Sequence, residues 1–436
     1  MRNLIISFVL VFSCGIQINA QWNLISEYDT SIVLHDVYFH NDDTGFVVGR
    51  KYMDFIPAYP PFNQYVDSLL ENPNGMLMKT VDGGISWDTL FYPSFIELNS
   101  ICFPTHDTGY IVGESPAPDI FILKTIDGGN TWLEINCNVC YWSGIHFSKV
   151  FFLNPDIGFA TGPSELLQKT SNGGLTWNIC GNCEHGTDID FPSDSIGYLS
   201  YGWKTIDAGN NWIDIYASFP PFNSTLAVGF HNDISGYLAG NFSTGYVNLG
   251  KIACTNNGGQ SWNEFLLDSL GDIKDIFIQN ENEAYFVGGN IIKTTDQGNN
   301  YYLQTIADDL FGFLFSIFFP SPKIGYAVGA GGEILKTIND GGGQMPVSIL
   351  TIADKPQNQK GVNVYPVPAN NQLNISVSEG VFDGFEIYSQ SGQLLQKTKS
   401  KNSLEQLDIS NLPSGNYFIR AIRKDEVFVR KFVVVR

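Results

Sequence analysis

Four of the seven cysteines stand in two Cys-x-x-Cys pairs, Cys137/Cys140 and Cys180/Cys183. Thiols at that spacing can close disulfides, within or across the pairs. They can also hold zinc as four thiolates or, with one pKa depressed, exchange disulfides. In an exported chain disulfides are the expected use; the zinc spacing is right but the compartment wrong. Neither pair opens a helix that would depress a thiol pKa. Cys102 and Cys254 fall at strand positions and are expected as buried free thiols. Carboxylates offer a second chemistry, since two of them flanking a glycosidic bond can hydrolyse it. Asp54/Asp67, Glu114/Asp119 and Glu184/Asp188 could be paired so, but none has a motif context and solvated surface is the expected role. The six histidines show no ligand spacing, and His40, His106 and His231 stand at turns. No phosphate loop, nucleophile elbow or zinc-protease motif occurs, and no metal or cofactor is expected.

Charge narrows the partners. The formal net charge is −20, and residues 21–360 hold 37 acidic against 14 basic residues. Such a body repels nucleic acid and anionic lipid surfaces. Met1–Ala20 reads as a signal peptide: Arg2, the apolar run Leu4–Phe12 and the small residue Ala20 supply its three parts. The run is too short to span a bilayer, and no later stretch approaches the required length, so no transmembrane segment is expected. With 14% aromatic, 16% charged and 44 glycines, the composition suits an all-β chain with many tight turns.

The elements that must position any site follow from a repeat. Lys79-Thr80-Val81-Asp82-Gly83-Gly84-Ile85-Ser86-Trp87 returns as Lys124–Trp132, Lys169–Trp177, Lys204–Trp212, Cys254–Trp262, Lys293–Tyr301 and, degraded, Lys336–Gln344. Before each box runs apolar-x-aromatic, a polar turn, then Gly-aromatic-x-x-Gly, as in Val37-Tyr38-Phe39 and Gly45-Phe46-Val47-Val48-Gly49. Each unit offers four antiparallel strands, and seven such sheets bury both faces only by stacking in a ring. The seventh box lacks its Trp strand, while Gln21-Trp22-Asn23-Leu24-Ile25 matches those strands elsewhere. The first strand is therefore expected to complete the last blade beside Gly331–Thr337, leaving no open edge. Residues 21–344 read as a seven-bladed β-propeller.

The box resembles the Asp-box repeat of sialidases and related propellers. With its Gly-aromatic strand, each unit resembles still more the repeats of photosystem-assembly-factor-type propellers. The resemblance implies a structural use for Asp82, Trp87, Asp127, Trp132, Asn172, Trp177, Asp207, Trp212, Asn257, Trp262 and Asp296. The acid closes an Asx-type turn, Gly supplies positive φ and Trp packs between blades. A sialidase site needs an arginine cluster to grip the substrate carboxylate. Between residues 21 and 360 the chain holds Arg50 alone, which excludes that activity.

A–B and C–D turns share one face of a four-stranded blade, B–C and D–A loops the other. The long excursions fall on the second face: residues 51–75 with Tyr52, Phe55, Tyr59, Phe62 and Tyr65, and the Phe219-Pro220-Pro221-Phe222 loop. Aromatics on one rim suit a glycan or protein ligand, or else pack the loops down. A binding protein is the expected function, with a two-carboxylate glycoside hydrolase as the alternative.

Residues 345–360 are polar, lack alternation and read as a linker. Beyond them, residues 361–436 alternate as the strands of a small β-sandwich. Tyr365-Pro366-Val367-Pro368-Ala369, Gly392-Gln393-Leu394-Leu395, Leu412-Pro413-Ser414-Gly415-Asn416-Tyr417 and the close Arg430-Lys431-Phe432-Val433-Val434-Val435-Arg436 closely resemble the type A C-terminal sorting domain of the type IX secretion system of Bacteroidota. That resemblance implies the type IX machinery as partner and a secreted or outer-membrane-surface destination.

Overall fold

The computed structural model describes residues 22–26, 29–52, 73–92, 97–114, 121–136, 147–162, 165–180, 183, 186–243, 248–267, 271–307, 310, 312–341, 345–346, 349–350, 362–365, 369–377, 381–389, 394–413, 415–423 and 426–434. Seven antiparallel sheets form the propeller, with inner strands Ile32–Phe39, Glu97–Cys102, Lys149–Phe152, Ile189–Asp190, Ser224–Phe230, Asp275–Ile278 and Leu314–Phe318. The ring closes as the repeat requires: Asn23 pairs with Lys336 and Leu24 with Leu335 in the last blade.

Each box is a hydrogen-bonded turn. In blade two, Thr125 Oγ1 donates to Asp127 Oδ1 at 2.7 Å and accepts the Gly129 N–H at 3.0 Å. Asp127 in turn accepts the amide and hydroxyl of Thr131. The bond from the box Thr to the Asp or Asn oxygen recurs at Asp82, Asn172, Asp207, Asn257 and Asp296. Ser86's hydroxyl first, then neighbouring N–H donors, hold the Asp82 carboxyl down at about 2. Trp177 and Trp212 are buried, and Trp132 sets its edge against Phe46 of the preceding blade.

The box lysine, unexplained by the turn itself, staples neighbours. Lys124 Nζ lies 5.2 Å from the Tyr110 ring of its own blade and donates to the Gly173 carbonyl of the next blade's box at 2.6 Å. Lys336 closes the circle onto Gly83 of blade one at 2.7 Å. Beneath these lysines the second-strand ring stacks on the first-strand ring of the next blade, as Tyr198 does on Phe230 at 3.6 Å and Tyr326 on Phe39 at 3.7 Å. Between blades five and six both devices are missing, because Cys254 replaces the lysine and Ile278 the ring. An apolar cluster including Tyr237, Ile252, Leu267, Phe286 and Tyr301 fills this seam instead.

Here the expected linker is corrected at its start. Met345–Pro346 and Ile349–Leu350 are strands, paired outside blade six on Tyr302–Leu303 and outside blade five on Leu266–Leu267. Two-residue strands carry no readable alternation, so composition alone marked them as linker. The returning chain thus ties together the two blades that lack a lysine staple. Ending the chain after Gln344 rather than after residue 351 should lower the melting temperature by several degrees, as scanning calorimetry of both truncations would show.

The remaining strands form two further sheets, Val362–Tyr365, Gln372–Val377 and Leu404–Asp408 in one, and Leu394–Lys399, Gly384–Ser389, Gly415–Arg423 and Glu426–Val434 in the other. They share a core of Leu373, Ile375, Phe385, Ile387, Leu407, Ile419 and Phe432. This is the expected β-sandwich. Among the described residues no helix is long and apolar enough to cross a membrane.

Candidate functional site at the channel mouth

All seven inner strands begin at the long-loop face, and together they ring a cavity of about 420 Å³ at the mouth of the central channel. Four of these strands slip register by one residue, at Leu34/Asp36, Leu98/Ser100, Thr225/Ala227 and Leu314/Ser316. In three of them the extra residue, His35, Asn99 or Phe315, lines the cavity. Bulges re-aim side chains in this way at the rims of closed sheets. Tyr201 joins them from the blade-four B–C turn with φ of 70°, a left-handed conformation that costs a non-glycine residue energy.

The carboxylates of the ring are committed to the scaffold. Asp36 Oδ2 accepts the Ile101 N–H of the next blade at 3.0 Å, Asp188 Oδ2 that of Val228 at 2.9 Å, and Asp275 Oδ2 that of Ile317 at 3.0 Å. Ser316 Oγ stands between two carboxyls, 2.8 Å from Asp36 Oδ1 and 3.0 Å from Asp275 Oδ2, with one hydrogen to donate to either. One level further along the strand, Asp190 accepts the Phe230 N–H at 2.6 Å. Burial, reinforced by the neighbouring aspartates, pushes Asp275 up to about 6; burial against its Phe230 bond leaves Asp190 up at about 7.

Lys149 stands among them. Burial works against its charge, but Asp188, Asp36 and Asp275 outweigh burial and hold its pKa above the ordinary lysine value. Its only anion within 4 Å among the described residues is Asp188 Oδ1 at 3.7 Å, too long for a hydrogen bond. The ammonium therefore presents three donors to the cavity. At the rim, Arg50 bonds Glu97 at 2.7 Å and His35 Nε2 lies 3.3 Å from the same oxygen.

The expected ligand aromatics fare unequally. Tyr52 is half-buried at the rim, with the Arg50 guanidinium 5.0 Å from its ring centre. Phe219 sets its edge against Trp262 at 5.9 Å, and Phe222 lies 4.8 Å from the fully buried Lys251 ammonium. Lys251 also bonds the Pro221 carbonyl and pairs with Glu264 at 2.6 Å. These two rings fasten their loop to blade five. Phe55, Tyr59, Phe62 and Tyr65 lie outside the described residues, as do Cys137, Cys140, Asp54, Asp67, Asp119 and Glu184. Cys180 and Cys183 are buried free thiols in this structure. On the opposite face His40 stacks on His106 at 4.7 Å, and burial lowers its pKa to about 4. Lys149, Tyr201 and Phe315 escaped the sequence reading. Lys149 carried a signal, a charge opening a strand otherwise matched to apolar-x-aromatic; Tyr201, in a turn, and Phe315, one apolar residue among many, carried none.

The aspartates give the channel a pH signature. A carboxyl whose pKa is higher folded than unfolded adds stability below its unfolded value near 4, and that stability is lost as pH rises through the folded value. From Asp190 and Asp275 the loss falls between about pH 4 and 7. Asp190→Asn keeps an acceptor for Phe230. It should raise stability at pH 8 by about 2 kcal/mol, less than the full shift implies because water reaches the channel, and change nothing at pH 4. Urea titrations at both pH values would check this.

Known proteins share this fold. The family model described as "Secretion system C-terminal sorting domain" matches residues 363–435. The C-terminal sandwich is a sorting domain. It carries the chain to the type IX secretion machinery, for export to the cell surface or beyond. The propeller is 24% identical over 171 residues to the photosystem II assembly lipoprotein Ycf48 of Synechococcus sp. (strain CC9902), covering 35% of this chain and 47% of that protein. The match thus spans about half the length of that relative. The photosystem II stability/assembly factor HCF136 of Arabidopsis thaliana is 24% identical over 294 residues, 60% of this chain and 70% of that protein. A solved structure of YCF48 bound to D1 peptide superposes with a TM-score of 0.52 at 20% identity, over 73% of this chain and 97% of that one. These relatives share the β-propeller fold.

Proposed function

We propose that the exported propeller is a glycan-binding protein that seats a sugar residue at the channel mouth. One observation carries the reading: Lys149 offers unused donors at a cavity also lined by the half-buried rings of Tyr201 and Phe315. Sugars are held by such a pairing, with hydroxyls on donors and ring faces on aromatics. Ser148, Thr187 and Ser224 add hydroxyls around the same space. Three nearby aspartates already compensate the lysine charge, which favours a neutral acceptor over an anion. The bonds that tie Asp36, Asp188 and Asp275 to neighbouring blades speak against the two-carboxylate hydrolase.

The exported chain would be applied to a broad glycan array, followed by titration of any hit. Phe315→Ala should weaken binding at least tenfold with the melting temperature little changed, whereas Phe222→Ala should lower the melting temperature and leave affinity intact. The peptide complex of the relative supports a protein segment as the second reading. A blank glycan array together with capture of extended peptides would replace the sugar by that ligand.

A further inference from the structure

The Cys180–Cys183 pair stands apart from the channel and belongs to no catalytic arrangement. It follows the short outer strand Asn178–Ile179 of blade three and packs under Trp212, Leu199 and Ile189 of blade four. Cys180 Sγ lies 3.9 Å from the Gly209 carbonyl of the blade-four box, and Cys183 Sγ lies 3.8 Å from the Cys180 carbonyl. Both thiols are buried in the same cluster. Four residues after Cys183 the chain reaches Thr187 and Asp188 on the cavity wall.

We propose that Cys180 and Cys183 are a modification site, oxidised to one intraloop disulfide in the exported chain. The pair is polarised for it. The Cys183 hydrogen bond foremost, then the Lys169 charge and the Trp212 indole, lower the Cys180 pKa despite burial; the same bond and burial raise that of Cys183. Cys180 is therefore the attacking thiolate. It adds to one sulfur of a small-molecule or protein disulfide and releases the first oxidant thiolate. Cys183 then loses its proton and attacks the Cys180 sulfur, releasing the second thiolate. Two protein thiols give up two protons and two electrons, and the oxidant disulfide becomes two thiols. The bridge anchors the loop that presents Thr187 and Asp188; any effect on ligand affinity rests on the glycan reading, the bridge itself does not.

Tryptic mapping separates the outcomes, because residues 170–204 form one peptide holding only these two cysteines and residues 125–149 another holding Cys137 and Cys140. The full chain, equilibrated with oxidised glutathione, would be unfolded and alkylated without reductant. The expected result is an unalkylated 170–204 peptide, two hydrogens lighter than its dithiol form, that takes up two labels after reduction. A doubly labelled peptide without reduction, or one joined to 125–149, would overturn the proposal. Cys180→Ser should leave Cys183 reduced or held as a glutathione adduct; Cys183→Ser should trap glutathione on Cys180, and failure to trap it there would sink the assigned order of attack. Reductant should lower the melting temperature of the native chain and leave that of the Cys180→Ser variant unchanged.

Discussion

Replacing Trp22 by alanine should cost the propeller about 3–5 kcal/mol, because a fully buried indole is lost at the point where the ring closes. The closing strand is short. Asn23 and Leu24 pair with the last blade, and Ile25 adds one N–H to the Ile334 carbonyl at 2.9 Å. Trp22 holds that strand from its other end. Its amide donates to the Thr305 carbonyl at 3.1 Å, its carbonyl accepts the Ala307 N–H at 2.8 Å, and its ring meets Phe319 edge-on at 5.7 Å. Gly341, at φ of 63°, passes so close to the indole nitrogen that any Cβ there would lie 2.6 Å from it. A cavity of this size cannot be refilled by a small shift, since the neighbours belong to two blades. Denaturant titration would measure the loss, and hydrogen exchange should rise first at Ile334–Thr337. A cost below about 1 kcal/mol would mean that ring closure does not depend on this side chain.

The second large effect is expected at Lys149. Lys149→Met removes the one cation among Asp36, Asp188 and Asp275 while keeping the stem length, and breaking a partly buried charge cluster in this way costs about 1–3 kcal/mol. The loss should depend on pH in a stated direction. Without the ammonium the aspartates bind protons more tightly in the folded state, so acid restores stability by neutralising them. Melting curves of variant and parent should therefore diverge at pH 8 and converge toward pH 4, where Asp275, already raised to about 6 in the parent, is protonated in both. A deficit independent of pH would show that Lys149 acts through its stem packing instead. Lys149→Arg should recover most of the stability, because the charge stays in place.

Much of the architecture was legible in the residues. Seven copies of the Thr-x-Asp/Asn phrase give the number of blades, since each box demands the same turn: a Thr hydroxyl and an Asp or Asn oxygen serving local N–H groups, then a residue at positive φ, which is Gly in four boxes and Ala208, Gln297 or Asp340 in the others. The missing Trp strand of the seventh box and the surplus one at Trp22 give the closure, because an unpaired sheet edge needs its complement. The alternation and motifs of residues 361–436 give the sorting domain. All these are local signals, repeated or contiguous along the chain.

The site was decided by tertiary structure. Lys149, Tyr201 and Phe315 lie far apart in sequence and meet only because seven inner strands converge on one axis, and three bulges turn His35, Asn99 and Phe315 toward it. Sequence could place Phe219 and Phe222 on the right face but not say that a buried lysine holds them down, for Lys251 reads as one more polar residue in a strand. The strands at 345–350 were hidden for the same reason: two residues pair with whatever edge the fold brings near them, and only the assembled blades five and six present those edges.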